Sequence, residues 1–189
     1  MKLKYLICSA ALIPATFCTS QVYSADSSSV EIQMSGYAQP VCQLPGGTQK
    51  SASNATFNNG LLTIPNLIDQ NTAMVKAASV TIEFPNVMCN YKATISIGSM
   101  NGGLKTDGAI PNLSGDFLEK VSYKIQGTWG GLALPTLDTS TAGTTPVNKD
   151  AGGANRGTLQ LIVSTVDGNT PVVAGDFKDN LVLKVGSAL

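Results

Sequence analysis

The chain has 189 residues, with 12 Lys and Arg against 12 Asp and Glu and no histidine. Only 13% of its residues are charged, so it carries no basic surface of the kind that holds nucleic acid or anionic lipid electrostatically. Without imidazole it also lacks the commonest general base and the commonest nitrogen ligand for a metal.

Lys2 and Lys4 open the chain, and an apolar stretch over residues 5–18 closes in Val22-Tyr23-Ser24-Ala25. A basic start, a short apolar core and small residues at a cut site predict an export signal over residues 1–25. The core is too short for a membrane span, which takes ~20 apolar residues. Phe17 is too bulky to stand before a lipidated Cys18. With the signal removed, Lys2 and Lys4 go, leaving 10 basic residues against 12 acidic, a net charge of −2. Cys8 and Cys18 go as well, so Cys42 and Cys89 are the cysteines that remain. Two cysteines in an exported chain predict one disulfide, and a loop of this length makes it worth about 4 kcal/mol. No soft-metal site is expected, because further thiols and imidazoles are missing. No cofactor is expected either.

Beyond the signal, apolar and polar residues alternate in short runs. Val30, Ile32 and Met34 come first, followed by Val80, Ile82 and Phe84. Ala93, Ile95 and Ile97 continue the pattern, then Val121, Tyr123 and Ile125, then Leu159, Leu161 and Val163. Leu181, Leu183 and Val185 close it. Period two predicts strands with one apolar face and one wet face. Asn59-Gly60, Asn101-Gly102, Asp107-Gly108, Asp167-Gly168, Gly130-Gly131 and Gly152-Gly153 supply turns between them. Residues 67–78 alone suit a turn or two of helix, and residues 138–156 read as a long exposed loop. The expected fold is all-β, an antiparallel sandwich.

Catalytic patterns are missing. The chain has no Gly-x-Ser-x-Gly elbow and no phosphate-cradling Gly-x-x-x-x-Gly-Lys, so an enzyme is not expected. Asp176 and Asp179 flank Lys178 and read as a solvated turn, since a hard cation needs six or more shaped oxygen ligands. Asn54-Ala55-Thr56 and Asn112-Leu113-Ser114 match the glycosylation tripeptide but read as ordinary loop residues. Trp129, a lone Trp at a strand end, is expected to cap the core.

The two ends together carry a resemblance. Val30, Ile32, Met34, Gly36 and Ala38 alternate along an arm ahead of Cys42, and Cys89 follows the Val80–Phe84 strand pattern. Gly175, Phe177 and Asp179 precede the final alternating strand of Leu181, Leu183 and Val185. This layout resembles bacterial chaperone–usher pilins, in particular the archaic pilin and spore coat U group. The terminal residues 185–189 depart from the classical pilins, which place an aromatic next to last.

The resemblance implies an incomplete immunoglobulin-like β-sandwich over residues 39–189, completed by a donor strand from a neighbouring subunit. Donor-strand complementation of this kind is a form of β-augmentation, in which an extended segment adds a strand to an open sheet edge. Residues 26–38 would then be the donor arm, with Gly36 and Ala38 at the narrow end of the acceptor groove. The implied partners are a periplasmic chaperone, an outer-membrane usher and neighbouring pilin subunits in a head-to-tail polymer. The implied location is a cell-surface fimbrium reached through the periplasm, serving adhesion or biofilm formation. No nucleic acid and no membrane insertion are implied. The alternative is a secreted spore-coat-U-like or lectin-like sandwich that grips a glycan with residues 138–156, with Trp129 as a stacking platform.

Overall fold

The structure, a computed structural model, describes residues 28–107, 115–166 and 168–187. The expected signal, Gly108, the Asn112 tripeptide and Asp167 lie outside the described residues. The chain divides into two units, Met1–Ala38 and Gln39–Leu189. In the first, residues 28–38 carry no strand and are exposed throughout. The expected strand over 29–38 is therefore not formed in the single chain. Alternation gives such a segment one sticky face, but a strand exists only when a neighbour supplies its ladder.

The second unit is all-β. Its elements in order are β1 (Cys42–Gln43), β2 (Thr48–Ser53), β3 (Thr56–Asn58), β4 (Leu61–Thr63) and β5 (Ser79–Cys89). There follow β6 (Thr94–Ser99), β7 (Leu104–Thr106), β8 (Lys120–Val121), β9 (Tyr123–Trp129) and β10 (Leu132–Ala133). The rest are β11 (Leu137–Asp138), α1 (Thr139–Ala142), β12 (Val147–Asp150), β13 (Asn155–Thr165), β14 (Phe177–Lys178) and β15 (Leu181–Gly186). A large sheet runs β1-β5-β13-β9-β10, with β2 also on β5 and β11 also on β9. A smaller sheet runs β12-β6-β15. The strands β14-β7-β8 form a third sheet, and β3–β4 is a hairpin that, among the described residues, pairs only with itself. The Asn59-Gly60 turn of that hairpin takes φ +48° and +81°, the left-handed pair that a two-residue hairpin demands.

The large and small sheets share one apolar core. Ile125, Trp129, Leu159 and Leu161 of the large sheet pack with Ile95 and Ile97 of β6. Trp129 is fully buried, as expected, and its indole N–H donates to the Val87 carbonyl at 3.2 Å. Burial removes Trp129 as a stacking platform.

One irregularity explains the disulfide. Phe84 stands opposite Leu159 and Val87 opposite Gly157, so Pro85 and Asn86 together face Thr158. This is a β-bulge, with Asn86 at φ +56°. A bulge is where a strand tolerates a proline, which has no N–H to give the ladder. It also changes which residues point inward. Val80 and Ile82 are buried before it, and Val87 and Cys89 after it. Cys89 thereby faces Cys42 across the β1–β5 ladder, and the two are bonded, with 4.2 Å between their Cα atoms.

Two expectations need correction. Residues 67–78 contain no helix; Ile68 and Val75 form an isolated bridge instead. The Asp69 carboxylate accepts from the N–H groups of Asn71 and Thr72, and such local bonding turns the backbone away from a helix. Residues 138–156 are not a long loop either, since they contain α1, β12 and the start of β13. Asp138 caps α1 by accepting from Ser140 N–H. Thr139 is buried, and its hydroxyl accepts from Tyr123 N–H at 2.8 Å and donates to Tyr123 C=O at 3.0 Å. A single side chain thus satisfies both backbone groups of Tyr123 where β9 begins.

Replacing both Cys42 and Cys89 with Ala should lower stability by about 4 kcal/mol, read as a lower urea midpoint with the β-sheet circular dichroism signal intact before unfolding. An unchanged midpoint would contradict the closed-loop account.

Candidate functional site: an apolar groove beside an open strand edge

The core is not fully covered. A groove of about 770 Å³ opens against it. Val80, Ile82 and Phe84 of β5, with Leu161 and Val163 of β13, form its floor. Residues 44–47 and the β3–β4 hairpin, through Phe57, Leu61 and Leu62, supply one part of its wall. β15, through Leu181 and Leu183, supplies another. The floor is apolar because β5 and β13 alternate in register across their ladder, with Val163 opposite Val80 and Leu161 opposite Ile82. Gly47 keeps one wall close: a Cβ there would come within 2.7 Å of the Phe84 ring.

The wall made by β15 differs in kind from the other. β15 pairs with β6 through six residues, from Leu181↔Ser99 to Gly186↔Thr94. Among the described residues, no strand pairs with its other edge. Leu183 and Val185 lean on the core but stay half-buried, whereas Ile95 and Ile97 on the neighbouring β6 are fully buried. The small sheet leaves the groove open along β15. β2 is likewise an edge, paired with β5 alone. It is polar apart from Ala52 and exposed along its length, and Lys50 forms an ion pair with Glu83. That pair and a bond from Gln160 hold the Glu83 carboxyl below its ordinary range. A charged, polar edge resists pairing with other chains; the apolar groove beside β15 has no such protection.

Where β15 begins, the groove wall becomes polar. Asp179 is expected in a solvated turn with Asp176, and this holds for exposed Asp176 but not for Asp179. One carboxylate oxygen of Asp179 accepts from Asn101 N–H at 2.9 Å and Asn180 N–H at 2.7 Å. The other accepts from the Ser99 hydroxyl, from the Tyr123 hydroxyl at 2.7 Å and from Gly103 N–H at 3.3 Å. Burial pushes the Tyr123 hydroxyl far above its ordinary pKa, and its bond to the Asp179 carboxylate adds to the rise. Tyr123 therefore keeps its proton and remains a donor. Among the described residues, no cluster of three or more His, Cys, Asp or Glu is placed to hold a metal ion.

The other singled-out residues fall as follows. Gly175 takes φ +152°. Phe177 lies in β14 opposite Thr106 and packs against the satellite cluster of Val75, Val121 and Val172. Leu181, Leu183 and Val185 lie on β15. In the arm, Val30, Ile32 and Met34 are 85%, 79% and 91% exposed, and Gly36 and Ala38 are also exposed. Asn54 spends its side-chain N–H bonds on Asn66 C=O and Ala77 C=O, in keeping with a structural loop role. The groove side chains of the hairpin, Phe57 and Leu62, do not stand out in the sequence, although they flank the Asn59-Gly60 turn that does. The donors to Asp179 leave no sequence signal, because Ser99 and Tyr123 stand 80 and 56 residues away from it.

No protein-family model matches this chain, and no curated protein matches it.

Leu161→Ala should cost about 3–5 kcal/mol, as for a fully buried leucine, while Leu183→Ala at the open wall should cost less than half of that. Urea titration of both variants checks the difference, and equal costs would mean that the groove is covered.

Proposed function

We propose that the chain is a structural subunit of a chaperone–usher fibre, a fimbrium, in which each groove is filled by the arm of a neighbouring copy. The observation that carries this reading is an apolar groove with an unpaired strand edge as one wall. A pocket for a small molecule needs apolar walls and a few aimed polar groups. A row of free backbone N–H and C=O groups beside an apolar floor instead suits an extended peptide, which adds a strand and drops alternate side chains into the groove. The chain's own arm has the matching chemistry. Val30, Ile32 and Met34 lie on one side of it, and each would contribute about 1.5–3 kcal/mol if fully buried. Gly36 and Ala38 follow, small enough for a narrowing end.

On this reading the domain is an immunoglobulin-like sandwich short of one strand, and the neighbour's arm completes it. The contact is head to tail and does not close on itself, so it builds an open filament. An unfilled groove invites aggregation, which gives a periplasmic chaperone its task until an outer-membrane usher exchanges it for the next subunit. The lectin-like alternative has less support: Trp129 is buried, and residues 138–156 are taken up by α1 and strands.

A double variant of the full chain, Ile32→Cys with Val163→Cys, tests the proposal. Mild oxidation should give a ladder of linked subunits, and Ile32→Asp should abolish filaments seen by electron microscopy on cells carrying the assembly genes. No link between subunits, together with normal filaments from Ile32→Asp, would overturn it.

A further inference from the structure

We infer that Asp179 is a positioning residue of the groove, holding the first residues of β15 so that its open edge stays in line for an incoming strand. The inference rests on the strand-accepting function proposed above. β15 is six residues long and, among the described residues, is laddered on one side only. A strand held on one side frays from its ends, and loss of two residues would remove a third of the edge on offer.

Asp179 sits immediately before that end. Its carboxylate gathers donors from four places: Ser99 at the end of β6, Asn101 and Gly103 in the following turn, Tyr123 at the start of β9, and Asn180. Two further bonds fasten the same stretch. Met100 N–H donates to Asn180 C=O at 3.0 Å, and the Asn101 side chain donates to Lys178 C=O at 3.1 Å. All the donors to Asp179 are neutral, and none of the ion pairs among the described residues includes it. The side chain is thus held in place by aimed N–H and O–H groups from separate elements. Asp179, Asn180 and Tyr123 all line the groove, so the fastening sits on the wall that an incoming strand must meet. The deep core around Trp129, Ile125 and Leu159 is built without Asp179.

The test uses the full chain at concentrations where it is monomeric, with a labelled peptide of residues 28–38 as probe. Three quantities are read: peptide affinity, amide hydrogen exchange at residues 181–183, and Trp129 fluorescence as a report on the core. Asp179→Ala should weaken the peptide by about tenfold or more and speed exchange at 181–183, with Trp129 emission unchanged. Asp179→Asn should recover most of both. Its carbonyl still accepts from Asn101 and Asn180 N–H, and the Ser99 and Tyr123 hydroxyls can turn to accept from its amide. Wild-type exchange and affinity in Asp179→Ala would overturn the inference, as would equal loss in both variants or a loss accompanied by a shifted Trp129 emission. If the wild-type chain does not bind the peptide, the strand-accepting function fails, and unchanged exchange at 181–183 in Asp179→Ala would separately refute the role of Asp179.

Discussion

A β-strand with one neighbour carries a row of backbone N–H and C=O groups that only water can satisfy. Among the edge strands of the described residues, β15 is the one that walls an apolar groove, and the proposed function depends on its open edge. Apolar residues of the large sheet line a groove that the three strands of β12-β6-β15 leave open. Leu183 and Val185 are consequently left half-buried, and Val163 and Phe84 on the opposite sheet are likewise only partly covered. Both deficits, apolar area and backbone pairing, would be met by one extended segment with an apolar side.

The β2 edge of the large sheet is built to stay as it is. β2 is polar apart from Ala52, and the Lys50–Glu83 pair lies along it. Next to it, Cys42 is bonded to Cys89 of β5. The Asn90 side chain accepts from Val41 N–H at 2.7 Å and donates to Gln39 C=O at 2.7 Å. Asn90 N–H also donates to Val41 C=O at 3.0 Å, so the first residues of the domain are fastened to the end of β5 by one covalent bond and by hydrogen bonds from Asn90. The bulge at Pro85 and Asn86 makes this possible, by bringing Cys89 round to the inner face. The β2 edge is thus chemically blunted, whereas the β15 edge stands beside an apolar groove.

Much of the fold was legible in the sequence because period-two alternation is enforced by a one-sided core. The runs at Val80–Phe84, Leu159–Val163 and Leu181–Val185 all lie in strands, whereas Ala93 stands just before β6 and the Val121–Ile125 run is divided between β8 and β9; the Cys42–Cys89 bond is expected from the cysteine count once residues 1–25 are read as an export signal. Helix expected over 67–78 failed because the Asp69 and Thr72 side chains accept from local backbone N–H groups. The loop expected over 138–156 failed because its Thr, Gly and Asn content concealed Thr139, whose buried hydroxyl completes the backbone of Tyr123. At the site, the apolar residues of β15 and β5 could be read, since each belongs to a local pattern. The bonding of Asp179 could not, since its side-chain partners are brought together only by the packing of β6, β9 and β15. Alternation in residues 29–38 could be read too, but the pattern is the same for a segment that pairs with its own domain and for one that pairs with a neighbour.

The most direct measurement of the central claim is amide hydrogen exchange along β15 in the assembled fibre against the monomer. If a strand from a neighbouring copy completes the small sheet, amides of residues 181–186 that exchange freely in the monomer become protected on assembly, and those of the arm, residues 30–38, become protected with them. Equal exchange in the two states at both segments would contradict the account.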